Sequence, residues 1–151
     1  MKKVHLCIMT EVLHTSFSPT DSSPRHVIVG LTGGLAAGKS LVARLFGCLG
    51  ALVWDADTAA KRLYQTDSRL QQSILQRWGE EIAITDKGGN MIDVDRMALS
   101  NIIFKSAQEL VWLQSQVHPK VSKKFQEWLI NQNHSPRLII RETAILFESQ
   151  S

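Results

Sequence analysis

Val27-Ile28-Val29-Gly30-Leu31-Thr32-Gly33-Gly34-Leu35-Ala36-Ala37-Gly38-Lys39-Ser40 is the stretch on which the fold turns. It opens with a continuous apolar, β-branched run, the pattern of a strand buried on both faces. Glycines follow at once, and after them Leu41, Val42, Leu45, Phe46 and Leu49 recur at spacings that fit one face of a helix. Gly50 is placed to end that helix. The order strand, glycine turn, helix is the context in which Gly33, Gly34, Leu35, Ala36, Ala37, Gly38, Lys39 and Ser40, a complete G-x-x-x-x-G-K-[ST], holds phosphate. Glycines let successive backbone N–H groups point at phosphate oxygens, and the helix N-terminus adds a positive dipole. Lys39 then neutralises β/γ-phosphate charge, and the Ser40 hydroxyl can coordinate Mg²⁺. A flexible glycine turn is the bland alternative. At Gly ~7% the eight-residue pattern arises by chance in roughly one chain in 200 of this length, before the flanking strand and helix are required.

Downstream, Ala51-Leu52-Val53-Trp54 reads as a second short strand, and Asp57 can cap a helix carrying Ala60, Leu63 and Tyr64. Past a polar break at Thr66 to Ser68, Leu70, Ile74, Leu75 and Trp78 mark another helix. Asp86 to Asn90, with Gly88-Gly89, is a turn, after which Asp93 can cap a helix bearing Leu99, Ile102 and Ile103. Ser106 to Glu109 fits a capping box opening the next helix. His118-Pro119 then interrupts the pattern, Val121, Phe125, Trp128 and Leu129 define one more helix, and Leu138-Ile139-Ile140 reads as a third strand. Strands alternating with helices predict a parallel α/β sheet of three layers, and the strand-poor stretch from about 68 to 133 predicts a helical insertion on it. Three strands make a small sheet with an open edge beside the first.

With 151 residues, 44% hydrophobic and 21% charged, the chain suits one soluble globular domain. Seventeen Lys plus Arg against 14 Asp plus Glu give +3, too mild and too scattered to argue for nucleic acid or a membrane surface. A small anionic ligand fits that balance. Two cysteines, Cys7 and Cys48, suggest neither a disulfide framework nor a metal site, which points to a cytoplasmic protein. The apolar run after Lys2-Lys3 is too short and polar for a leader or a span. From Thr10 to Ser23 there are seven Ser or Thr without periodicity, so residues 1–25 read as a disordered extension and the folded domain as 26–151.

Asp55-Ala56-Asp57 follows the second strand, at the edge where open α/β sheets place their ligands. The two carboxylates suit a base for an attacking hydroxyl or partners for Mg²⁺. Equally, one suits a helix cap and the other a solvated loop residue. His118 contacts a phosphate or merely divides two helices. Trp78, Trp112 and Trp128 fall on or beside apolar helix faces, where core or interface roles outweigh base stacking. Arg141 and Glu142, at the end of the third strand, mean little alone.

Taken in order, V-G-L-T-G-G-L-A-A-G-K-S at Val29 to Ser40, G-A-L-V-W-D-A-D at Gly50 to Asp57, V-H-P at Val117 to Pro119 and A-I-L-F-E at Ala144 to Glu148 resemble the dephospho-coenzyme A kinases, a P-loop kinase family. The resemblance implies a P-loop three-layer fold in which ATP gives its γ-phosphate to the ribose 3′-hydroxyl of dephospho-coenzyme A. It makes Gly33 to Ser40 the ATP site, Asp57 the base with Asp55 beside it, and 68–133 an acceptor-binding insertion. His118, Leu146, Phe147 and Glu148 would border the acceptor. Two features depart from the family: Ala144 stands where Pro is frequent, and the chain ends where the family continues through a further strand and an arginine-bearing lid. The expectation is therefore of a truncated domain, with a non-catalytic nucleotide-binding fragment or another P-loop metabolite kinase as alternatives.

Overall fold

In the computed structural model the described residues are 4–7, of which the backbone is described, and 27–33, 38–132 and 138–143. They divide between two compact units, one of residues 1–57 with 127–151 and one of 58–126.

The first unit is built on a four-stranded sheet: β1 (Val4–Cys7), β2 (Val27–Gly33), β3 (Leu52–Asp55) and β6 (Leu138–Glu142), ordered β1-β2-β6-β3. β6 lies between β2 and β3 and pairs parallel with both, Val29 and Val53 each facing Ile140. The expected parallel α/β sheet is present. Its edge, however, is not open at β2, because Val4–Cys7 pairs antiparallel there, Val4 opposite Gly33 and Cys7 opposite Gly30. Expected disorder over 1–25 is thus corrected for these four residues, whose alternating apolar and polar side chains make too short a period to register as a strand signal. The Ser/Thr-rich segment falls outside the described residues.

Strand alternation sorts the sheet's side chains into two faces. Val29, Leu31 and Ile140 form one core cluster with Ala43 of α1 (Lys39–Cys48), against which Val42, Phe46 and Ala51 pack. Ile28, Thr32, Trp54, Ile139 and Arg141 lie on the opposite face. α1 buries a narrower stripe than its sequence suggests: Leu41, Leu45 and Leu49 are 57%, 56% and 83% exposed. Ala43 lets the helix approach the strands closely on one side, so the leucines a turn apart on the other side stay outside. Gly50, at φ 93°, ends α1 in the left-handed region, and Ala51 N–H reaches back to the Phe46 carbonyl at 3.0 Å.

The second unit holds most of α2 (Ala56–Thr66), then α3 (Ser68–Trp78), a 3₁₀ turn at Glu80–Ile82, the hairpin β4 (Ala83–Thr85) and β5 (Met91–Val94), α4 (Arg96–Lys105) and most of α5 (Ala107–Ile130). Leu70, Ile74, Ile82, Val94 and Val117 are its most buried side chains. The expected insertion at 68–133 is therefore not purely helical, and the compact unit runs from Thr58 to Gln126. The hairpin escaped notice because its strands are three and four residues long. Its turn is as expected: Asp86 Oδ1 accepts from the N–H groups of Gly88 and Asn90.

Caps differ in detail. Asp95, not Asp93, caps α4, accepting from the N–H groups of Met97 and Ala98. Ser106 supplies its half of the capping box to Glu109 N–H, while the Glu109 carboxylate turns to Arg77 and to Trp78 Nε1 at 2.7 Å. His118-Pro119 does not divide two helices, because α5 runs through Pro119. A proline there removes one donor, leaving the rest of a 24-residue helix to hold the segment. Trp78 and Trp112 meet edge to face at 4.9 Å, with Arg77 over the Trp112 ring. No described helix is long and apolar enough to cross a membrane.

Candidate functional site

β2 ends at Gly33 and α1 begins at Lys39, so the phosphate-loop motif connects a buried strand to a helix N-terminus. Gly38 sits at φ 88°, ψ 14°, a left-handed conformation that glycine adopts without penalty, and its carbonyl accepts from the N–H groups of Leu41 and Val42 at 3.1 Å. A Cβ there meets nothing within 4 Å, so the need for glycine is conformational and not steric. No described side chain caps α1, and its first turn carries no acid. A helix N-terminus of this kind directs its positive dipole end toward an anion. Gly34, Leu35, Ala36 and Ala37 lie outside the described residues.

Ser40 Oγ donates to Glu142 Oε1 at 2.8 Å. Glu142 is the last residue of β6 and only 9% exposed, the one buried charged residue among the described residues. The register puts it between Leu31 of β2 and Asp55 of β3, on the α1 face. Parallel pairing thus gathers Ser40, Glu142 and Asp55 at one edge, the carboxyl ends of the strands. From the sequence Glu142 stands with Arg141 at the end of the third strand, without a role. The available signal was an acid closing the apolar run Leu138-Ile139-Ile140, which acquires meaning only once β6 is known to lie beside β2.

At β3 the two aspartates separate. Asp55 Oδ1 accepts from the Asp57 N–H at 2.8 Å, so Asp55 caps α2 and Asp57 stands in its first turn. The cap assigned to Asp57 belongs to Asp55. Asp57 stands in the first turn of α2, at the strand end where a ligand is expected. Of the other residues singled out, His118 lies inside α5, and Leu146, Phe147 and Glu148 fall outside the described residues.

Across the sheet from Glu142, Arg141 lays its guanidinium over the Trp54 ring at 5.7 Å. Neighbours in β6, Arg141 and Glu142 project to opposite faces.

A family model described as CoaE: Dephospho-CoA kinase matches residues 27–151, all of the strand, loop, helix and strand-end elements just described. The chain belongs to the dephospho-CoA kinase family. Among relatives, a dephospho-CoA kinase of Synechococcus sp. (strain JA-3-3Ab) is 42% identical over 102 residues, 68% of this chain and 42% of the relative. One of Chlorobium chlorochromatii (strain CaD3) is 33% identical over 124 residues, 82% of this chain and 58% of the relative. The chain therefore spans about half the length of such dephospho-CoA kinases. The crystal structure of TT1252 from Thermus thermophilus superposes with a TM-score of 0.64 at 29% identity, covering 82% of this chain and 59% of that one. A dephospho-CoA kinase from Campylobacter jejuni, at TM-score 0.55 and 21% identity over 80% of this chain and 58% of that one, shares the fold.

Proposed function

We propose that the chain acts in transfer of the γ-phosphoryl group of ATP to the ribose 3′-hydroxyl of dephospho-CoA, giving CoA and ADP. The observation that carries this reading is the Ser40–Glu142 hydrogen bond at the N-terminus of α1, where the phosphate-loop motif ends and no described side chain caps the helix. Family membership supports the choice of acceptor.

In this reading Lys39 and the α1 N-terminus bind the β- and γ-phosphates and offset charge as it spreads over the transferring group. Asp57 accepts the proton of the attacking 3′-hydroxyl as its oxygen bonds to phosphorus and the bond to the bridging β–γ oxygen breaks, the electron pair leaving with ADP. Asp55 holds Asp57 in place through the helix cap. Ser40 and Glu142 fit Mg²⁺: because the hydroxyl donates to the carboxylate, the Ser40 lone pairs stay available to a cation. Mg²⁺ held there would supply neutralising charge to the β- and γ-phosphates. We assign acceptor binding to the second unit, with His118 and the Leu146-Phe147-Glu148 segment bordering the acceptor, and a cytoplasmic location to the chain. The first rests on the motifs, the second on the two scattered cysteines.

The test is direct. Purified chain, ATP, Mg²⁺ and dephospho-CoA are incubated, and CoA and ADP are followed by mass spectrometry. Stoichiometric appearance of both products supports the reading. ATP binding without transfer leaves only the phosphate-binding part standing, and absence of binding removes that too.

A further inference from the structure

β2 is held along its two edges over different lengths. On one side β6 pairs with it from Val27 to Leu31, and Thr143, the residue after β6, donates its N–H to the Leu31 carbonyl at 3.1 Å. On the other side β1 pairs with Gly30, Leu31, Thr32 and Gly33. Thr32 and Gly33, the two residues that lead into the phosphate loop, therefore have β1 as their only strand partner among the described residues. Gly33 is also the first residue of the motif, and Val4 stands opposite it. At the far end of the motif Lys39 opens α1, whose first turn is closed onto the Gly38 carbonyl. The loop is thus anchored at its exit by a helix and at its entrance by a four-residue edge strand from the N-terminal part of the chain.

A phosphate loop binds best when its successive N–H groups are set in place before the anion arrives. An antiparallel ladder fixes φ and ψ at each residue it pairs, so β1 removes backbone freedom at the entrance ahead of the ligand. The parallel ladder leaves this task to β1 because it stops at Leu31. A strand of four residues is in turn held weakly, and its docking responds to whatever orders its partner.

We infer that β1 is a positioning strand for the phosphate loop: its pairing with Thr32 and Gly33 fixes the loop's entrance, and ATP binding and β1 docking strengthen one another. This rests on the phosphate-loop reading above. The effect runs through backbone pairing and calls for no β1 side chain. By linkage the two strengthenings are equal.

The experiment combines calorimetric titration and amide hydrogen exchange on the full chain. Of two successive strand residues one N–H faces the partner strand, so the double variant His5→Pro/Leu6→Pro removes a ladder bond whichever residue supplies it. A second double variant, His5→Thr/Leu6→Val, keeps both N–H groups and suits a strand. Ordering one residue's backbone corresponds to roughly a 5- to 30-fold change in an equilibrium constant. The first variant should therefore bind ATP more weakly by that factor with dephospho-CoA affinity unchanged, and the second should restore wild-type ATP affinity. In the wild type, ATP should slow exchange of the Val4 to Cys7 amides by a factor of the same order. ATP affinity unchanged in a first variant that still melts cooperatively overturns the assignment. So does equal weakening of both ligands, which a merely structural strand would give, and so does a second variant as weak as the first. Should the first variant fail to fold, the wild-type exchange decides: rates at Val4 to Cys7 that do not respond to ATP overturn the assignment and leave the kinase reading intact. A wild-type chain that does not bind ATP overturns the phosphate-loop reading itself, and the assignment with it.

Discussion

Ser40 and Glu142 are 102 positions apart and joined by a 2.8 Å hydrogen bond, because β6 inserts beside the strand that leads into the phosphate-loop motif. An outer carboxylate of this kind orients the first ligand to a metal, and its removal typically costs ~10- to 100-fold in metal affinity. Glu142→Gln should therefore raise the Mg²⁺ concentration for half-maximal transfer by about that factor, while binding of metal-free ATP stays unchanged. A Mg²⁺ titration of the initial rate checks this, and an unaltered midpoint would count against the pairing.

Lys39→Ala should abolish ATP-dependent transfer without changing the circular dichroism spectrum or melting temperature. Lys39 is the first residue of α1, outside the core cluster that holds the helix to the sheet, and its charge matters to the transition state. Near-normal turnover in this variant would refute the phosphate-loop assignment.

The two aspartates should fail in different ways. Asp57→Asn removes the base and should lower the rate ~10²- to 10⁴-fold with little effect on ATP affinity. Asp55→Ala removes the α2 cap, and should cost about 1 kcal/mol of stability, seen as a lower denaturation midpoint. An intact rate in Asp57→Asn together with a collapsed one in Asp55→Ala would reverse the roles.

A pH-dependent contribution is expected at Asp67. The Lys120 ammonium, 2.6 Å away, holds its carboxyl below the usual carboxylate range, helped by the Leu70 N–H that it caps and opposed by partial burial. A folded-state pKa below the unfolded value means that the ionised form stabilises. The contribution is complete above about pH 4 and is lost as pH falls through the folded value. Melting of wild type and Asp67→Asn should thus differ by a constant amount between pH 6 and 8, with the gap closing below about pH 4. A gap independent of pH would remove the charge from the account.

How far the sequence could be read depended on the range of each interaction. The phosphate-loop motif, the buried strands β2 and β6 and the Gly50 helix end all follow from residues within a few positions of one another, and each was legible. Asp55 and Asp57 were legible as a pair but not in their division of labour, since either residue satisfies cap chemistry until the helix start is known to be Ala56. Glu142 was illegible as a partner of Ser40, because nothing local reports that β6 inserts between β2 and β3. Pro119 misled in the other direction: its local rule forbids a helix interior, yet α5 buries Leu113 and Val117 before it and Val121 and Phe125 after it, and that packing carries the helix through.

The strand order also dictates a sequence of events during synthesis. β2 and β3 find their parallel partner only in β6, whose residues are made after both and after the whole of the second unit. Until then β3 emerges from the ribosome with neither edge satisfied, and contacts so distant along the chain are slow to form. β1 is made first and lies ahead of β2 in a hairpin relation, Leu6 opposite Leu31. The strand leading into the phosphate loop is thus chaperoned in cis from its first appearance, and β3 waits unescorted for β6.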